Sequence, residues 1–289
     1  MAEYIKNTGN FTGLEKTRLF YQRWQAECPR GAVVIAHGIG EHGSRFRNLI
    51  DHMQDDGISF YALDHRGHGR SEGQRGHINS FSDYTADLKT FIRMVRKENA
   101  GLPLILLGHS MGGTIACRFA LDYPGDIDGL ILSSAGFIQA VKVPVWKKTM
   151  AALLANVMPG LSMPTGLDSS ALSHDRKVIA DYDNDPLVHD LVSARWYMEF
   201  TRAGAICLQR AGELTMPLLI IHGSADAIVD PEGSRQVMEK ASSQDKQLFL
   251  FDGLYHETMN ELPPDREKVL NTIRSWIRNV TLGRSSCNI

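Results

Sequence analysis

The residues PLILLGHSMGG, Pro103 to Gly113, decide the fold. The apolar run before the serine predicts a buried β-strand that ends at Ser110, and Gly112 to Leu121 predict a helix. A G-x-S-x-G pattern at such a junction puts the serine on a sharp turn with a strained backbone. The flanking glycines let the strand and the helix approach each other closely. We therefore predict that the hydroxyl of Ser110 stands above the edge of a sheet, at a helix N-terminus that favours negative charge.

The alternation of strand and helix continues outward from this junction. Further strands are predicted at Ala32–Gly38, Ile58–Asp64, Gly129–Ala135, Pro217–Gly223 and Gln247–Gly253. Helices are predicted at Arg45–Asp56, Asp83–Lys97, Gly233–Ala241 and Arg266–Val280. Leu19 to Trp24 is predicted to form an antiparallel edge hairpin with the residues before it. Because the apolar runs are nearly continuous, helices should cover both faces of a mostly parallel, eight-stranded sheet in an α/β protein.

Residues 136–213 interrupt this alternation. Three prolines, Pro144, Pro159 and Pro164, divide the segment, and Val141 to Met163 is apolar and rich in methionine. A loop of this length without structure is improbable in a compact domain, and an insertion between strands must lie outside the sheet. We predict one core built from residues 1–135 and 214–289, with 136–213 as a helical cap over the sheet. The alternative is that the segment is simply part of the core.

The sequence also supplies partners for the serine. A serine hydroxyl is a weak nucleophile unless a base takes its proton, and behind such a turn an acid and then a histidine are expected along the chain. Asp226 follows the strand PLLIIHG and His256 follows the last strand, so both should reach the edge where the strands end. We predict Ser110 as nucleophile, His256 as base and Asp226 as the acid that orients the base. Asp230, before Pro231, is better suited to cap a helix.

The other histidines suit the role of base less well. His109 lies inside the turn, next to the serine, and His222 ends a strand and is expected to pack. The remaining candidates fall in earlier loops and have no acid partner in the expected order: His37, His65, His68 and His77.

Acyl transfer further requires donors for an oxyanion. One is the backbone amide of the residue after the nucleophile, Met111. The other is expected from the loop after the first central strand, at Ile39, because Gly38 and Gly40 give a flexible turn that can point this amide inward.

Five motifs, taken together, carry a resemblance to a known family. HGIGEH, LDHRGHGRSEG, GHSMGG, HGSAD and YHE, in this order, resemble the monoacylglycerol lipase and lysophospholipase branch of the α/β-hydrolases, which is grouped by sequence with proline-type serine aminopeptidases (S33-like). Asn184 to Leu187 is similar to part of the family's cap. The resemblance implies the α/β-hydrolase fold, the triad Ser110, Asp226 and His256, and oxyanion amides at Ile39 and Met111. It also implies an acyl-enzyme mechanism, no cofactor, and a hydrophobic cap over an acyl pocket for a small-molecule or lipid ester.

Several alternatives remain open from the sequence. A serine at the turn argues against dehalogenases and epoxide hydrolases, which share the fold but use an aspartate. A general short-chain carboxylesterase would show the same motifs. A proline-type aminopeptidase would need acids to hold a free amino terminus, and the segment 136–213 offers Asp175, Asp181, Asp183 and Asp185. A binding protein of this fold would have lost part of the triad, whereas all three members are present here.

Composition excludes some partners. The net charge is −2 and no basic stripe is visible, so nucleic acid is not an expected partner. Cys28, Cys117, Cys207 and Cys287 are far apart without a C-x-x-C pair, so neither a zinc site nor a disulfide framework is predicted, and no metal is expected.

The N-terminal residues and the length of the apolar runs bear on the cellular compartment of the protein. The first residues, MAEYIKNTGNF, lack a basic start followed by an apolar core, and no run is long enough to span a membrane. A reducing, cytoplasmic setting is the simplest inference. Lys142, Lys147 and Lys148 flank the apolar part of the cap, which leaves peripheral membrane contact through the cap open, although a solvated rim is the simpler interpretation. The apolar cap would equally suit a homodimer.

Overall fold

The computed structural model describes residues 4–140 and 145–282. Its strands are β1 Ile5–Thr12, β2 Arg18–Gln25, β3 Gly31–Ala36, β4 Ile58–Leu63, β5 Leu104–His109, β6 Gly129–Ser133, β7 Ser162–Pro164, β8 Leu191–Ser193, β9 Leu218–Gly223 and β10 Lys246–Phe251. Its helices are α1 Arg47–His52, α2 Ser82–Glu98, α3 Met111–Asp122, α4 Val145–Val157, α5 Arg176–Asp183, α6 Ala194–Arg210, α7 Glu232–Lys240 and α8 Pro263–Leu282. Lys142, Pro144 and Cys287, which carried sequence-based expectations, lie outside the described residues, as do the side chains of Lys147 and Lys148.

Eight of the strands form one sheet in the order β1-β2-β4-β3-β5-β6-β9-β10. β1 and β2 form the predicted antiparallel hairpin, and β2 is antiparallel to β4. All other neighbours are parallel, from the β3–β4 pair to the β9–β10 pair. The prediction of a mostly parallel, eight-stranded sheet is therefore confirmed.

The core consists of two layers of apolar side chains, one on each face of the sheet. Because successive residues of a strand point to opposite faces, Ile105 and Leu107 of β5 pack with α1 and α8, whereas Leu104 and Leu106 pack with α2 and α3. This division explains why the central strands β3, β4, β5, β6 and β9 are buried at every position and are mostly apolar.

One predicted helix has the right face and the wrong ends. Arg45–Asp56 was expected to be a single helix, but a 3₁₀ turn covers Gly43–Phe46, α1 ends at His52 and turns follow to Gly57. The apolar face predicted from the periodicity is buried as expected. Asp56 lies beyond the helix, where its carboxylate binds Arg274 and Arg278 of α8, a contact that local periodicity does not encode.

Between β6 and β9 the chain leaves the sheet. The segment holds α4, α5 and α6 and a small two-stranded antiparallel sheet of β7 and β8, which the sequence did not predict. α6 packs against α3, and its Trp196, Phe200 and Cys207 belong to the same apolar cluster as the strands. The end of the insertion thus contributes to the core. In the described ranges, no helix is both long and apolar enough to cross a bilayer.

Candidate active site

Ser110 occupies the turn between β5 and α3. Its backbone dihedral angles are φ 55° and ψ −119°, a conformation that costs a non-glycine residue free energy. A side chain at Gly112 would collide with the backbone carbonyl of Ala36, and one at Gly108 with the carbonyl of Gly112. The glycines around the serine are therefore required by the close packing of β3, β5 and α3, as the sequence predicted.

The two loops that follow β9 and β10 bring the predicted acid and base together. His256 Nδ1 lies 2.7 Å from Asp226 Oδ2, and both residues are buried. A side chain at Gly223 would collide with the carbonyls of Leu254 and Tyr255. The loops can pack this closely because a glycine ends β9.

The carboxylate of Asp226 is fully engaged in hydrogen bonds. Oδ1 accepts the amides of Ile228 and Val229 at 2.8 and 2.9 Å, and Oδ2 faces His256 Nδ1 and, at 3.1 Å, His222 Nε2. Burial alone would raise the pKa of Asp226, but the interactions with His256, His222 and the Val229 amide outweigh it and hold this pKa well below its usual range. Asp226 is thus a carboxylate in the folded protein. Asp230 instead accepts the amide of Glu232 at the start of α7, at 2.9 Å.

The protonation state of the second ring nitrogen of His256, Nε2, depends on the groups around the ring. Burial lowers the pKa of His256, but Asp226, Glu257 and Glu41 outweigh burial and raise this pKa above its ordinary value. Because Nδ1 faces the Asp226 carboxylate, the neutral ring carries its proton on Nδ1 and leaves Nε2 free to accept one. The backbone carbonyl of His256 accepts a hydrogen bond from the Ser134 hydroxyl at 2.8 Å, and this bond ties the loop after β10 to the loop after β6. Sequence reasoning did not identify Ser134.

The glycine-rich loop after β3 passes directly beside the serine. A Cβ at Gly38 would lie 3.2 Å from Ser110 Cβ, and the Gly38 amide donates to Glu41 Oε1 at 2.6 Å. Gly40 has φ +73°, and its carbonyl accepts the His189 amide at 2.9 Å. Ile39 is therefore held from both sides, and it shares a cavity wall with Ser110 and Met111.

A buried ion cluster lies next to the base, and sequence reasoning missed it. Arg45 contacts Glu41 at 2.9 Å and Glu257 at 2.6 Å, and its guanidinium stacks 4.7 Å from the ring of Tyr182. Burial raises the pKa of Glu41; at Glu257 burial acts the same way, but Arg45 outweighs it and lowers the pKa. The signal was present in the charged residues beside the two predicted site loops, since Glu41 belongs to HGIGEH and Glu257 follows His256.

Two cavities meet at Ser110. The larger, of about 480 Å³, is mostly apolar and is lined chiefly by residues 136–229, among them Ile138, Val192, Trp196, Phe200, Ile228 and Val229. The smaller contains His256 and the ion cluster, with Glu41, Arg45, Glu257 and Tyr182 in its wall. Among the described residues, no group of three or more histidines, cysteines or acids is placed to hold a metal ion.

A sheet of this order, with a serine on a strained turn after β5 and a histidine–aspartate pair after the last two strands, defines an α/β-hydrolase. The sequence profile of the family described as serine aminopeptidase, S33, matches residues 27–263. The chain is 36% identical over 279 residues to the monoacylglycerol lipase of Mycolicibacterium smegmatis, covering 96% of this chain and 99% of the relative. It is 34% identical to the human monoglyceride lipase, covering 93% of this chain and 90% of the relative.

Structural comparison agrees. The crystal structure of the Paleococcus ferrophilus monoacylglycerol lipase superposes with a TM-score of 0.83 at 33% identity, over 91% of this chain and 99% of that one. The chain belongs to the serine aminopeptidase S33 family, in the monoacylglycerol lipase branch of the α/β-hydrolases, and it is a serine ester hydrolase.

Proposed function

We propose that this enzyme hydrolyses long-chain monoacylglycerols to glycerol and a fatty acid. The observation that carries this proposal is the pair of cavities that meet at Ser110, one apolar and one polar. A monoacylglycerol has the same division, since its ester bond joins an apolar chain to a polar alcohol. The names of the relatives in the previous section support the same substrate class.

The apolar cavity is suited to the acyl chain. Its wall includes Trp196 and Phe200 of α6 and Ile228 and Val229 of the loop after β9. Burying an alkyl chain against such side chains stabilises the complex by about 0.8 kcal/mol for each methylene. Because much of this wall comes from residues 136–213, we assign this segment, with its boundaries as predicted, to a cap that completes the acyl site.

The polar cavity has a volume of about 10 Å³, enough for about one water molecule, so glycerol would enter only if its wall moved apart. The charges in this wall nevertheless favour an uncharged alcohol such as glycerol as the leaving group. Arg45 is the sole lysine or arginine among the described residues that line it, and it is already paired with Glu41 and Glu257. A phosphodiester group would place a further negative charge beside two buried carboxylates without a cation of its own, which is costly. This argues against a lysophospholipid as the preferred substrate.

The proposed reaction uses Ser110, His256 and Asp226 in the roles predicted from the sequence. His256 takes the proton of Ser110 while the serine oxygen attacks the ester carbonyl, and the Asp226 carboxylate stabilises the imidazolium. The amides of Ile39 and Met111 are assigned to the oxyanion. His256 then protonates the leaving glycerol, and the same residue activates the water that releases the fatty acid and restores Ser110.

The aminopeptidase alternative finds less support. Of its four candidate acids, Asp175 caps α5, Asp181 pairs with Lys177, and Asp185 binds His42 at 2.9 Å. Asp183 is exposed on α5. None of the four lines either cavity at Ser110, so they do not form a site for an amino terminus.

The cap also offers a surface for a lipid interface. Met150, Leu153 and Val157 are spaced along one face of α4 and are 47%, 57% and 69% exposed. Leu161 and Met163 continue the exposed apolar surface beyond the helix. α4 packs against α6, which lines the acyl site. An apolar face on this helix would reach a membrane where a water-insoluble substrate resides. We assign this face to peripheral membrane contact; a homodimer is the competing occupant.

A vesicle-binding assay distinguishes membrane contact from dimer formation at the exposed face of α4. The double variant Leu153→Ser, Val157→Ser should reduce co-flotation with phosphatidylcholine vesicles several-fold, whereas Ile5→Ser, an equally exposed residue on β1, should not. A dimer in light scattering that the double variant dissociates, with vesicle binding unchanged, would overturn the membrane assignment.

The substrate is tested by a matched ester series. Rates are compared for short p-nitrophenyl esters, monoacylglycerols of increasing chain length, a lysophospholipid and an aminoacyl amide, with Ser110→Ala as the blank. The proposal requires the highest kcat/KM for long-chain monoacylglycerols. A maximum at short chains with no gain from glycerol would make the enzyme a general carboxylesterase, and a maximum on the amide would make it a peptidase.

A further inference from the structure

A second histidine lies on the carboxylate of Asp226. His222, the last residue but one of β9, places Nε2 3.1 Å from Asp226 Oδ2 and 3.3 Å from the Val229 carbonyl. Its other nitrogen, Nδ1, lies 2.8 Å from the hydroxyl of Ser234 on α7. His222 and Ser234 are both fully buried. From the sequence, His222 was expected only to pack at the end of its strand.

The neighbours of the ring determine where its proton lies. Nε2 faces two acceptors, a carboxylate and a backbone carbonyl, so the ring satisfies both only when Nε2 carries a proton. Nδ1 then accepts the hydroxyl proton of Ser234. The result is a continuous buried chain of groups, from Ser234 through His222 and Asp226 to His256.

We infer that His222 is a positioning residue for the acid–base pair of the active site, and that Ser234 holds His222 in the required tautomer. The inference rests on the proposed role of Asp226. The Ile228 and Val229 amides fix Oδ1, while the oxygen that orients His256, Oδ2, has His222 as its second neighbour. His222 therefore holds Oδ2 in line with His256 Nδ1 without touching the substrate.

Removal of this contact should affect the chemical step more than substrate binding. Without the Nε2–H donor, Oδ2 would keep His256 as its single partner in a buried site. The carboxylate, still held through Oδ1, could then tilt so that Oδ2 leaves its position in line with His256 Nδ1. Around bound metals, removal of an outer partner that orients a ligand typically lowers metal affinity or activity about 10–100-fold. We expect a loss of kcat of the same size here. Neither cavity at Ser110 is lined by His222 or Ser234, so substrate affinity should stay nearly constant.

The test compares kcat and KM of His222→Leu, His222→Gln and Ser234→Ala, with Val237→Ala as control. Val237 is buried on the same helix as Ser234 and belongs to the apolar cluster, so its truncation reports the effect of general destabilisation. We expect His222→Leu to lower kcat about 10–100-fold with KM within twofold. The side-chain amide of His222→Gln can still donate to Oδ2, so this variant should retain most of the activity. Ser234→Ala should lower kcat several-fold.

Two results would overturn the inference. One is a wild-type kcat in both His222→Leu and Ser234→Ala; the other is an equal loss of kcat in Val237→Ala at a matched change in melting temperature. If His222→Leu does not fold, Ser234→Ala and His222→Gln still decide the matter. Asp226→Asn, measured in parallel, separates this inference from the proposed mechanism. If it is fully active the mechanism fails, whereas an inactive Asp226→Asn with an active His222→Leu removes only the role of His222.

Discussion

The carboxylate of Asp226 lies 2.7 Å from His256 Nδ1, although the two residues are 30 positions apart and follow different strands. β9 and β10 are adjacent and parallel, so their ends open at the same edge of the sheet. Gly223 then allows the loop that carries His256 to pack directly on the end of β9. The geometry of the acid–base pair is thus a consequence of strand order together with one glycine.

Replacement of Asp226 should affect catalysis, whereas replacement of the nearby Asp230 should not. Asp226→Asn should lower kcat by about 10⁴-fold, the effect of the same change in a serine-protease triad, because the amide no longer favours the required tautomer of His256. Asp230→Asn, which alters only the start of α7, is the control and should remain near the wild-type rate. Steady-state kinetics on one ester suffices. An active Asp226→Asn together with an inactive Asp230→Asn would transfer the role to Asp230.

The pH dependence of the reaction should report the environment of His256. As the proposed base, His256 acts only when neutral, and Asp226, Glu257 and Glu41 raise its pKa despite burial. We expect kcat/KM to fall as the pH drops through a pKa above the ordinary histidine value of about 6.5. In Asp226→Asn the residual activity should extend to lower pH, because the charge that raises the pKa is gone. An acid limb below the ordinary value in the wild type, or one that the variant leaves in place, would contradict this assignment.

The backbone strain at Ser110 should lower the melting temperature of the protein. Ser110 has φ 55°, and relief of such strain by glycine is worth about 1–3 kcal/mol, from which the larger chain entropy of glycine subtracts about 0.5–1 kcal/mol. Ser110→Gly should therefore unfold at a melting temperature about 2–4 °C above that of Ser110→Ala, for a net gain of about 1 kcal/mol. Both variants lack the proposed nucleophile, so a difference in activity is not expected to confound the comparison. Equal melting temperatures would show that the turn is not strained.

The ion cluster should contribute to stability through its balance of charges. Removing the guanidinium in Arg45→Met leaves Glu41 and Glu257 buried without a cation and should lower the free energy of unfolding by about 3–5 kcal/mol in urea denaturation. The triple variant Arg45→Met, Glu41→Gln, Glu257→Gln removes the unpaired charges and should recover part of this loss. A triple variant less stable than Arg45→Met alone would mean that the carboxylates contribute through contacts other than the ion pairs.

Much of the sheet could be predicted because each central strand is buried on both faces. Such strands are continuous apolar runs, as in Leu104 to Leu107, and parallel strands require the helices between them. The ends of the helix predicted at Arg45–Asp56 could not be predicted from its periodicity, and Asp56 contacts arginines of α8 more than 200 positions away. Periodicity identifies which face of a helix is buried, and long-range contacts decide where that helix stops.

Local signals and long-range contacts also divide the residues of the active site. The position of Ser110 and the order of acid and base follow from local signals, a glycine-flanked turn and two strand ends. Ser134 and the Arg45 cluster act through contacts that join separate loops, such as the bond between Arg45 and Glu257 across 212 positions. His222 lies only four positions before Asp226, but its contact with Asp226 depends on how the loop after β9 turns back. A single sequence shows that such residues are polar, but not which of them meet.

The most direct test of the account is to trap and locate the acyl group. The enzyme is mixed with a long-chain monoacylglycerol or a long-chain fluorophosphonate, quenched and digested, and the modified peptide is identified by mass spectrometry, with Ser110→Ala as the control. We expect a stoichiometric adduct on Ser110, and neither adduct nor turnover in the variant while its melting temperature stays near that of the wild type. An adduct on another residue, or turnover that persists in Ser110→Ala, would contradict it.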